Sequence, residues 1–451
     1  MSQKKTNLPV VNPHAAGIDI GSRTHFIAVG QNVEDVCSFG CYTADYVEAS
    51  KYLKANGITS VAMESTGSYW KGLFQHLQQD GFEVILVNGK HTHNVKGRKT
   101  DVLDCQWIQR LHSLGLLSGS FLPNEFTAEL RQYTRNREHL IEQAAVYVKK
   151  MKQSLILMNI RLDVAIRDIM GDSGRAIVEA ILQGNRDPVS LASMTNFRVK
   201  KSKEEIALSL EGNWKDEYLF ELKLSYDLYN IFQNKIAECD CKIDQILQQH
   251  LSEKLATGKL QKVNNIPIVK KKTNKNAPKL DLQTISTQLA GGINLFQIEG
   301  VSNTTVLTLL SETSLDLSKF PTAKHFASWL ALSPNNKISG GKVLSSRVAH
   351  HNNKLAQALR RAANAIGNMK TGKLNQFFRR IAFRYGRMAA ITATARKIAV
   401  ILWNMLTKNE PYKYEESVVY NERLRKMQLK NIQRRIRALN IQQDELNFTT
   451  M

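Results

Sequence analysis

Four acidic residues stand where carboxylates could act together on a phosphate ester. Asp19 lies inside the apolar stretch GIDIG, and Glu64 directly follows the apolar run ITSVAM. Asp101 and Asp104, three residues apart in TDVLD, fall on one face of a predicted helix. A carboxylate in an apolar strand is costly unless a cation compensates it, and an all-oxygen ligand set suits Mg²⁺, with Mn²⁺ as an alternative. Two such ions would clamp the attacking and leaving oxygens of a phosphodiester.

Each acid also has an interpretation without a metal. Asp101 and Asp104 would complement the positive end of a helix, and Glu64 would be an exposed strand end. A zinc site in the neighbouring segment HTHNVKGRKTD would use its two histidines but lacks further ligands at suitable spacing. The same segment places cations beside the acids, namely His91, His93, Lys96, Arg98 and Lys99.

A second group of polar residues lies in SPNNKISGGKVLSSR, from Ser333 to Arg347. A serine followed by two glycines lets backbone amides approach a phosphate, so Ser339 could serve as a nucleophile if another group removes its proton. Lys342 and Arg347 would neutralise the charge that develops on the phosphate. Ser-Gly-Gly is also an ordinary turn, so this motif is weak in isolation.

The elements that would position the four acids follow an alternating strand and helix pattern. Strands are predicted at 17–20, 25–29, 35–41, 58–63 and 83–88. Helices are predicted at 44–57, 65–81 and 100–117. Ser65 or Thr66 is the expected N-cap of the second helix. This pattern indicates an α/β domain at 14–122.

Beyond residue 126 the pattern changes to apolar heptads. One run comprises Ile141, Val148, Leu155, Leu162 and Ile169, and another comprises Leu222, Tyr229, Ile236 and Ile243. These repeats predict a coiled-coil region at 126–257. A lysine-rich segment at 258–280 is typical of a mobile basic linker, and we expect a mainly helical domain at 281–410 and a basic helical tail at 411–451.

The charge of the chain indicates a polyanionic partner. The net charge is +22 and the isoelectric point is about 9.7. Residues 317–409 hold 17 Lys or Arg and no Asp or Glu, whereas a merely solvated surface mixes both signs. We therefore expect phosphate contacts in this segment. The candidate residues, besides those of the serine motif, are Arg360, Arg361, Arg379 and Arg380.

Composition argues against membrane and secreted proteins. No apolar run approaches the roughly 20 residues that span a bilayer, and the polar start MSQKKTNLPVVNP lacks the apolar core of a signal peptide. The five cysteines show neither zinc-binding nor disulfide spacing. We expect a cytoplasmic protein with no membrane partner.

The chain resembles, over nearly its whole length, the transposases of the insertion sequence one-ten family, which are bridge-RNA-guided DEDD recombinases. GIDIG, MESTG and KTDVLD match the family's four-acid domain, and IEGVSNTTVLTLLSE, FASWLALSPNNKISGGKVLSS and AITATARKIAVILWNML follow its transposase domain. The resemblance implies an α/β RNase H-like (RuvC-like) N-terminal domain, an α-helical coiled-coil region and a mainly α-helical C-terminal transposase domain.

The resemblance also implies an activity. Family members cut and rejoin donor and target DNA through a serine, which is Ser339 here, while the four acids hold Mg²⁺. A structured guide RNA, a homo-oligomer (dimer or tetramer) and association with the nucleoid are implied as well. Two departures from the family pattern are Ser302, in place of a hairpin glycine, and Ile338, in place of a serine. Ser345 therefore competes for the nucleophile role.

Three other functions fit parts of the sequence. A junction-resolving nuclease would use the same acids with water as the nucleophile. An actin-like sugar kinase would use GIDIGSRT as a phosphate loop but needs a second glycine-rich motif, which is absent from the sequence. A basic coiled-coil scaffold for nucleic acid would make the four acids incidental.

Overall fold

The computed structural model describes residues 9–89, 100–349, 352–412 and 417–438. The chain divides into two compact units, Met1–Leu122 and Pro123–Met451. Each unit contains an apolar core of its own, built around a sheet in the first and around long helices in the second.

The first unit is built on a mixed five-stranded sheet. Its strands are β1 (Ala15–Ile20), β2 (His25–Ala28), β3 (Val36–Phe39), β4 (Ser60–Glu64) and β5 (Glu83–Val87). They lie in the order β3-β2-β1-β4-β5. The β1–β2 and β2–β3 pairs are antiparallel, and the β1–β4 and β4–β5 pairs are parallel. The predicted α/β pattern is therefore confirmed, and the sheet is consistent with an RNase H-like fold.

Helices pack on both faces of this sheet. The described helices are α1 (Thr43–Ala55), α2 (Trp70–Gln79) and α3 (Asp101–Ser113). Ile18 and Met63 lie in register on neighbouring strands and share one buried cluster with Leu53 of α1 and Leu73 of α2. The alternate residues of β1 point to the opposite face, which α3 covers.

The predicted start of α2 is wrong. Ser65 and Thr66 do not cap it, because the chain first forms a turn in which the Tyr69 amide bonds to the Thr66 carbonyl. Gly67 takes a positive φ of 52° in this turn, and the helix begins at Trp70. Glu64 is thus followed by a loop rather than by a helix.

The second unit is mainly helical. Its helices are α4 (Glu125–Leu157), α5 (Leu162–Ala165), α6 (Asp172–Leu182), α7 (Pro188–Ser193), α8 (Lys203–Ser209), α9 (Asp216–Ala256), α10 (Leu282–Leu289), α11 (Asn303–Thr313), α12 (Ala323–Trp329), α13 (Lys354–Gly367), α14 (Lys373–Lys408) and α15 (Ser417–Ala438). A hairpin of β6 (Lys337–Ser339) and β7 (Lys342–Ser345) lies between α12 and α13.

The two longest helices, α4 and α9, pack against each other in opposite directions. The Phe126 ring near the start of α4 stacks on His250 near the end of α9, with centroids 3.6 Å apart. Further along α4, Tyr147 stacks on Phe232, with centroids 5.5 Å apart. The heptad positions of α9 are buried as predicted, namely Leu222, Tyr229, Ile236 and Ile243.

The first predicted heptad run does not form one helix. Helix α4 ends at Leu157, and Asn159 adopts a left-handed conformation with φ of 59°. Leu162 and Ile169 lie beyond this end and are buried with the short helices that follow. They belong to the same apolar cluster as Met151 and Leu155 of α4. The sevenfold spacing therefore continues past the helix end because the short elements that follow pack on this cluster, not because a coiled coil extends through them.

The lysine-rich segment 258–280 has no helix or strand, but it is fastened to the second unit. The Val263 amide and carbonyl both bond to the Gln288 side chain, at 3.0 and 2.8 Å. Lys275 Nζ donates to the Met170 carbonyl at 2.7 Å, and a buried guanidinium, that of Arg137, donates to the Asn276 carbonyl at 3.0 Å. This differs from the loose linker that its composition predicts.

Helix α14 has an unusually apolar second half. By length and composition it could cross a bilayer. Its Ile398, Leu402 and Met405 are buried inside the protein, however, so the apolar side of α14 forms part of the core of the second unit.

A buried ion-pair cluster joins α4 to α11. Glu312, with 8% of its side chain exposed, accepts from Arg131 at 3.1 Å and from Arg135 at 3.0 Å. Arg131 also donates to the carbonyl of Ser311. Burial lowers the pKa of Arg131, and the negative charge of Glu312 opposes that effect.

We expect the substitution Glu312→Gln to destabilise the second unit by about 3 kcal/mol, because it leaves the half-buried Arg131 guanidinium without its buried counter-charge. Urea unfolding monitored by circular dichroism measures this change. Glu238→Gln is the matched control, since Glu238 pairs with Lys235 on the surface, where 62% of the glutamate is exposed. We expect a change within about 0.5 kcal/mol for the control, and equal effects of both substitutions would contradict this assignment.

Candidate metal and nucleic-acid site

Two of the four acids occupy neighbouring positions at one edge of the sheet. The parallel register pairs Ile18 of β1 with Met63 of β4. The next residues along the two strands are Asp19 and Glu64. Residues in register on adjacent parallel strands point to the same face, and both side chains are half-buried. The strands thus bring together two carboxylates that are far apart in sequence.

Helix α3 packs directly onto the backbone of β1 at Gly17. A Cβ atom added to Gly17 would lie 2.1 Å from the Gln109 amide nitrogen and 2.5 Å from the Cys105 carbonyl oxygen. Glycine is therefore needed here for steric reasons, as is common where two backbones approach closely within a sheet. Because Gly17 and Asp19 share one face of β1, this contact places α3 on the face of Asp19.

Hydrogen bonds fix α3 along its length. Gln106 Nε2 donates to the Gln31 carbonyl at 3.0 Å, and Gln109 Nε2 donates to the Ala15 carbonyl at 3.1 Å. Near the end of the helix, His112 Nε2 lies 2.8 Å from the Ser60 hydroxyl of β4. The helix is thus tied to the strands that carry Asp19 and Glu64.

The other two acids lie in the first turn of α3. Thr100 caps this helix, accepting from the Leu103 amide at 3.3 Å. Asp101 is exposed and Asp104 is half-buried. Burial raises the pKa of the Cys105 thiol to about 12, and the negative charges of Asp19 and Asp104 add to this effect. The two carboxylates therefore lie near the same thiol.

The four acids fit a hard divalent cation by donor type. All four supply carboxylate oxygens, the ligands that Mg²⁺ and Mn²⁺ prefer. In the described ranges, however, no three His, Cys, Asp or Glu side chains come close enough to hold a metal ion together. The fit therefore rests on the neighbouring positions of Asp19 and Glu64 in the sheet and on the oxygen chemistry that all four acids share. The predicted cationic neighbours lie outside the described residues, namely His91, His93, Lys96, Arg98 and Lys99.

The serine motif forms an exposed β-hairpin. Ser339 pairs with Lys342 across a two-residue turn of Gly340 and Gly341, which have φ values of 55° and 74°. Two successive positive φ values suit glycine and match the twist of a two-residue hairpin. Both glycines are open, with no atom within 4 Å of an added Cβ. A phosphate could reach the backbone amides at this tip.

The two candidate serines have different surroundings. Ser339 is exposed, and within the described part of the chain no side chain hydrogen-bonds to its hydroxyl. Ser345 is half-buried at the other end of the hairpin, where its Oγ accepts from the Arg347 amide at 3.3 Å. The Ser339 hydroxyl is therefore the more accessible of the two.

The predicted phosphate-binding cations lie on the hairpin and on α13 and α14, and several have internal contacts. Arg360 donates to the Ala331 carbonyl at 3.2 Å, so it supports the chain that leads into the hairpin. Arg361 lies 3.9 Å from Glu138 of α4. Arg379 donates to the Met369 carbonyl at 3.2 Å, and Arg380 lies exposed on the same helix. Lys342 and Arg347 are both exposed.

The sequence interpretation missed two features of these sites. Gly17 was assigned only to a strand, although a glycine inside an apolar strand is itself a signal of close backbone approach. The pairing of Glu138 with Lys354 at 3.1 Å joins residues that lie far apart in sequence, and no local pattern indicates it.

Comparison with known proteins identifies two segments. Residues 16–159 match a DEDD transposase domain of the IS110 type, described as a transposase. Residues 293–379 match the transposases of the IS116/IS110/IS902 family. Together the matched segments span about half of the chain. They include the four acids, the serine hairpin and helix α13. No curated protein sequence matches the chain.

We expect Gly17→Ala to destabilise the first unit by about 1–3 kcal/mol or more, because the added methyl group overlaps backbone atoms of α3 that cannot move independently. Urea unfolding measures this. Gly119→Ala is the matched control in the same unit, since its added Cβ would meet Ile85 at an ordinary 3.7 Å. Unchanged stability of Gly17→Ala would show that α3 does not pack on β1 in this way.

The stability of the first unit should also depend on pH through His112. Burial lowers the pKa of His112 below its usual 6.5, an effect that the charge of Glu83 partly opposes. The unfolded chain then binds the proton more readily, so this stability is present above pH 6.5 and is lost as the pH falls below it. Burial lowers the pKa of His25 in the same unit too, which adds in the same direction.

Thermal unfolding between pH 5 and 8 measures this dependence. We expect His112→Gln to reduce the loss of melting temperature at acidic pH, and the exposed His14→Gln to leave it unchanged. Identical pH profiles of wild type and His112→Gln would contradict the expectation.

Proposed function

The chain belongs to the IS116/IS110/IS902 family of transposases and is therefore a DNA transposase, and we propose that it cuts and rejoins DNA through Ser339 with the aid of Mg²⁺. The observation that carries the proposal is the juxtaposition of Asp19 and Glu64 on the sheet face that α3 covers. DEDD domains of this kind typically use divalent metals.

The metal-binding part of the proposal assigns four ligands. Asp19, Glu64, Asp101 and Asp104 would hold Mg²⁺, with Mn²⁺ as an alternative. When bound, the cation supplies positive charge to the phosphodiester oxygens during cleavage. The packing of α3 on Gly17 supports this assignment, because it brings the helix that carries Asp101 and Asp104 onto the face of β1 that carries Asp19.

The covalent part assigns the nucleophile. The Ser339 oxygen bonds to phosphorus, the bond from phosphorus to one sugar oxygen breaks, and that oxygen takes up a proton while the serine hydroxyl loses one. The product is a phosphoserine and a free DNA hydroxyl. Rejoining reverses this step with the hydroxyl of another strand, so the number of phosphodiester bonds is conserved.

The basic residues of the second unit would hold the DNA backbone. Lys342 follows the hairpin tip, Arg347 lies at the base of the hairpin, and Arg379 and Arg380 lie on α14. Arg360 and Arg361 complete the set that we assign to nucleic-acid contact. Since phosphate contacts release counterions, we infer that binding weakens steeply as salt concentration rises.

Three further features rest on the family resemblance. We infer a structured guide RNA that pairs with donor and target DNA, and the basic surface suits a partner recognised by its backbone. We infer a homo-oligomer, a dimer or tetramer, in which the acids of one subunit act with the serine of another. We also infer a cytoplasmic, nucleoid-associated location, because the proposed substrate of the protein is chromosomal DNA.

One observation favours a second candidate function. Among the described residues, no side chain hydrogen-bonds to the Ser339 hydroxyl, so the hairpin itself provides no hydrogen-bonded base. A RuvC-like junction-resolving endonuclease would need none there, because it uses metal-activated water and requires Ser339 only as a phosphate contact. The two functions differ in whether protein becomes attached to DNA.

A denaturing gel distinguishes these functions. Purified protein is incubated with the RNA of its element, Mg²⁺ and labelled donor and target DNA. We expect a protein–DNA adduct with wild type and with Ser345→Ala, and none with Ser339→Ala, because only the latter lacks the attacking oxygen. Ser345→Ala is the matched control, as both serines lie on the same hairpin.

Other outcomes would contradict parts of the mechanism. Loss of the adduct only in Ser345→Ala would show that Ser345, at the end of β7, is the nucleophile. Cleavage without an adduct that survives both substitutions would support the endonuclease. An adduct that forms equally well with Asp19→Asn would show that the Asp19 carboxylate is not needed for the covalent step.

A further inference from the structure

Helix α14 is interrupted by an exposed elbow, which we define as residues 383–389. Gly386 adopts φ of 82° and ψ of 167° inside the helix, a conformation essentially restricted to glycine. All seven residues of the elbow are exposed. Phe383 is 93% exposed, Tyr385 70% and Met388 78%. The backbone thus turns large apolar side chains outward rather than into the core.

Arginines surround these side chains. Arg384 lies between Phe383 and Tyr385, and Arg380 precedes Phe383 by three residues, on the same side of the helix. No acidic residue occurs between 317 and 409. Arg387 is held by the side-chain oxygens of Asn364 and Asn368, both at 2.7 Å. The elbow therefore combines exposed rings with positive charge.

Cations from both sides of the elbow lie over one aromatic ring, that of Phe377, in the helical segment before it. Lys397 Nζ lies 4.6 Å and Arg380 Cζ 5.5 Å from the centre of the Phe377 ring. Burial lowers the pKa of Lys397, and the nearby charge of Arg380 lowers it further. Cations that repel one another in this way would be stabilised by an anionic partner.

We propose that the elbow is a stacking platform for unpaired bases of the DNA substrate. Phe383 and Tyr385 would stack on successive bases, and Arg380 and Arg384 would contact the flanking phosphates. Exposed aromatic side chains within a positive surface are the usual means of binding single strands, since every base offers a stacking face. The proposal rests on DNA as the substrate and deepens the proposed function.

Charge and geometry favour this occupant over two others. A duplex hides its base faces in its own stack, so it would contact the arginines and leave the rings unused. In a symmetric contact, the elbow of a second copy would bring a surface of the same positive sign, because residues 317–409 hold 17 Lys or Arg and no Asp or Glu. Unpaired DNA offers base faces on which the rings can stack and phosphates that the arginines can contact.

Fluorescence anisotropy with the full-length protein tests the proposal without any cleavage step. The probes are labelled oligothymidylate of about 20 nucleotides, a duplex of the same length and an oligouridylate. We expect Phe383→Ala/Tyr385→Ala to weaken oligothymidylate binding at least about fivefold and to leave duplex binding nearly unchanged. Phe383→Trp should retain the affinity, and Phe383→Leu should reduce it, because leucine is apolar but has no ring.

Phe220→Ala is the matched control. Phe220 is 71% exposed on α9, among the acidic residues Asp216, Glu217 and Glu221, so we expect no effect of this substitution. Unfolding curves establish that each variant is folded.

The proposal would be overturned by equal weakening of single strands and duplex, or by loss of oligouridylate binding alone. It would also be overturned by a wild-type dimer in light scattering that the double substitution dissociates, since the elbow would then contact a second copy. The Ser339→Ala variant should bind oligothymidylate normally. Failure of the covalent chemistry and failure of the elbow are therefore distinguishable.

Discussion

The arrangement of the acidic site depends on one steric constraint, the contact between the backbone of α3 and Gly17 of β1. An added Cβ at Gly17 would lie 2.1 Å from a backbone nitrogen of the helix, so α3 approaches the strand as closely as two backbones can. Asp19 lies two residues further along the strand on the same face, and Asp104 lies one residue before Cys105, which makes the contact. A larger residue at position 17 would separate the helix acids from the strand acids.

Several acids of the second unit pair with basic residues inside it. Glu312 neutralises Arg131 and Arg135, Asp240 neutralises the buried Arg137, and Glu138 lies beside Lys354. Each of these acids lies outside the stretch 317–409, which contains none. Because residues 317–409 contain no acid, the arginines of α14 have no acidic neighbours within this stretch of sequence. The pairs that join helices and the basic stretch thus use different parts of the chain.

Local patterns predicted the sheet well and the helix ends poorly. Alternating apolar residues identify a strand because each side chain's face follows from its own neighbours. The end of α4 depends instead on how the chain beyond it packs, since Leu162 and Ile169 join the apolar cluster of α4 from the short elements that follow the helix end. Sevenfold spacing alone cannot distinguish one continuous helix from a helix followed by shorter elements that pack on the same cluster.

Some of the candidate functional residues could likewise be placed from local sequence patterns, and others could not. The acids could be placed on elements from the sequence, and the sheet register then brought Asp19 and Glu64 to adjacent positions. The elbow could not be predicted, because Gly386 sits in an otherwise helical pattern, where a glycine is usually tolerated without a kink. The exposure of Phe383 and Tyr385 follows from that kink, so it is evident only in three dimensions.

Binding of Mn²⁺ to the full-length protein, followed by electron paramagnetic resonance of the free ion, tests most directly whether the four acids form a metal site. Asp101→Asn and Asp216→Asn are a matched pair, since each removes an exposed carboxylate at the start of a helix. We expect wild type and Asp216→Asn to bind the ion alike, and Asp101→Asn and Asp19→Asn to bind it at least about tenfold more weakly. Equal binding by all four proteins would show that these carboxylates do not hold the metal.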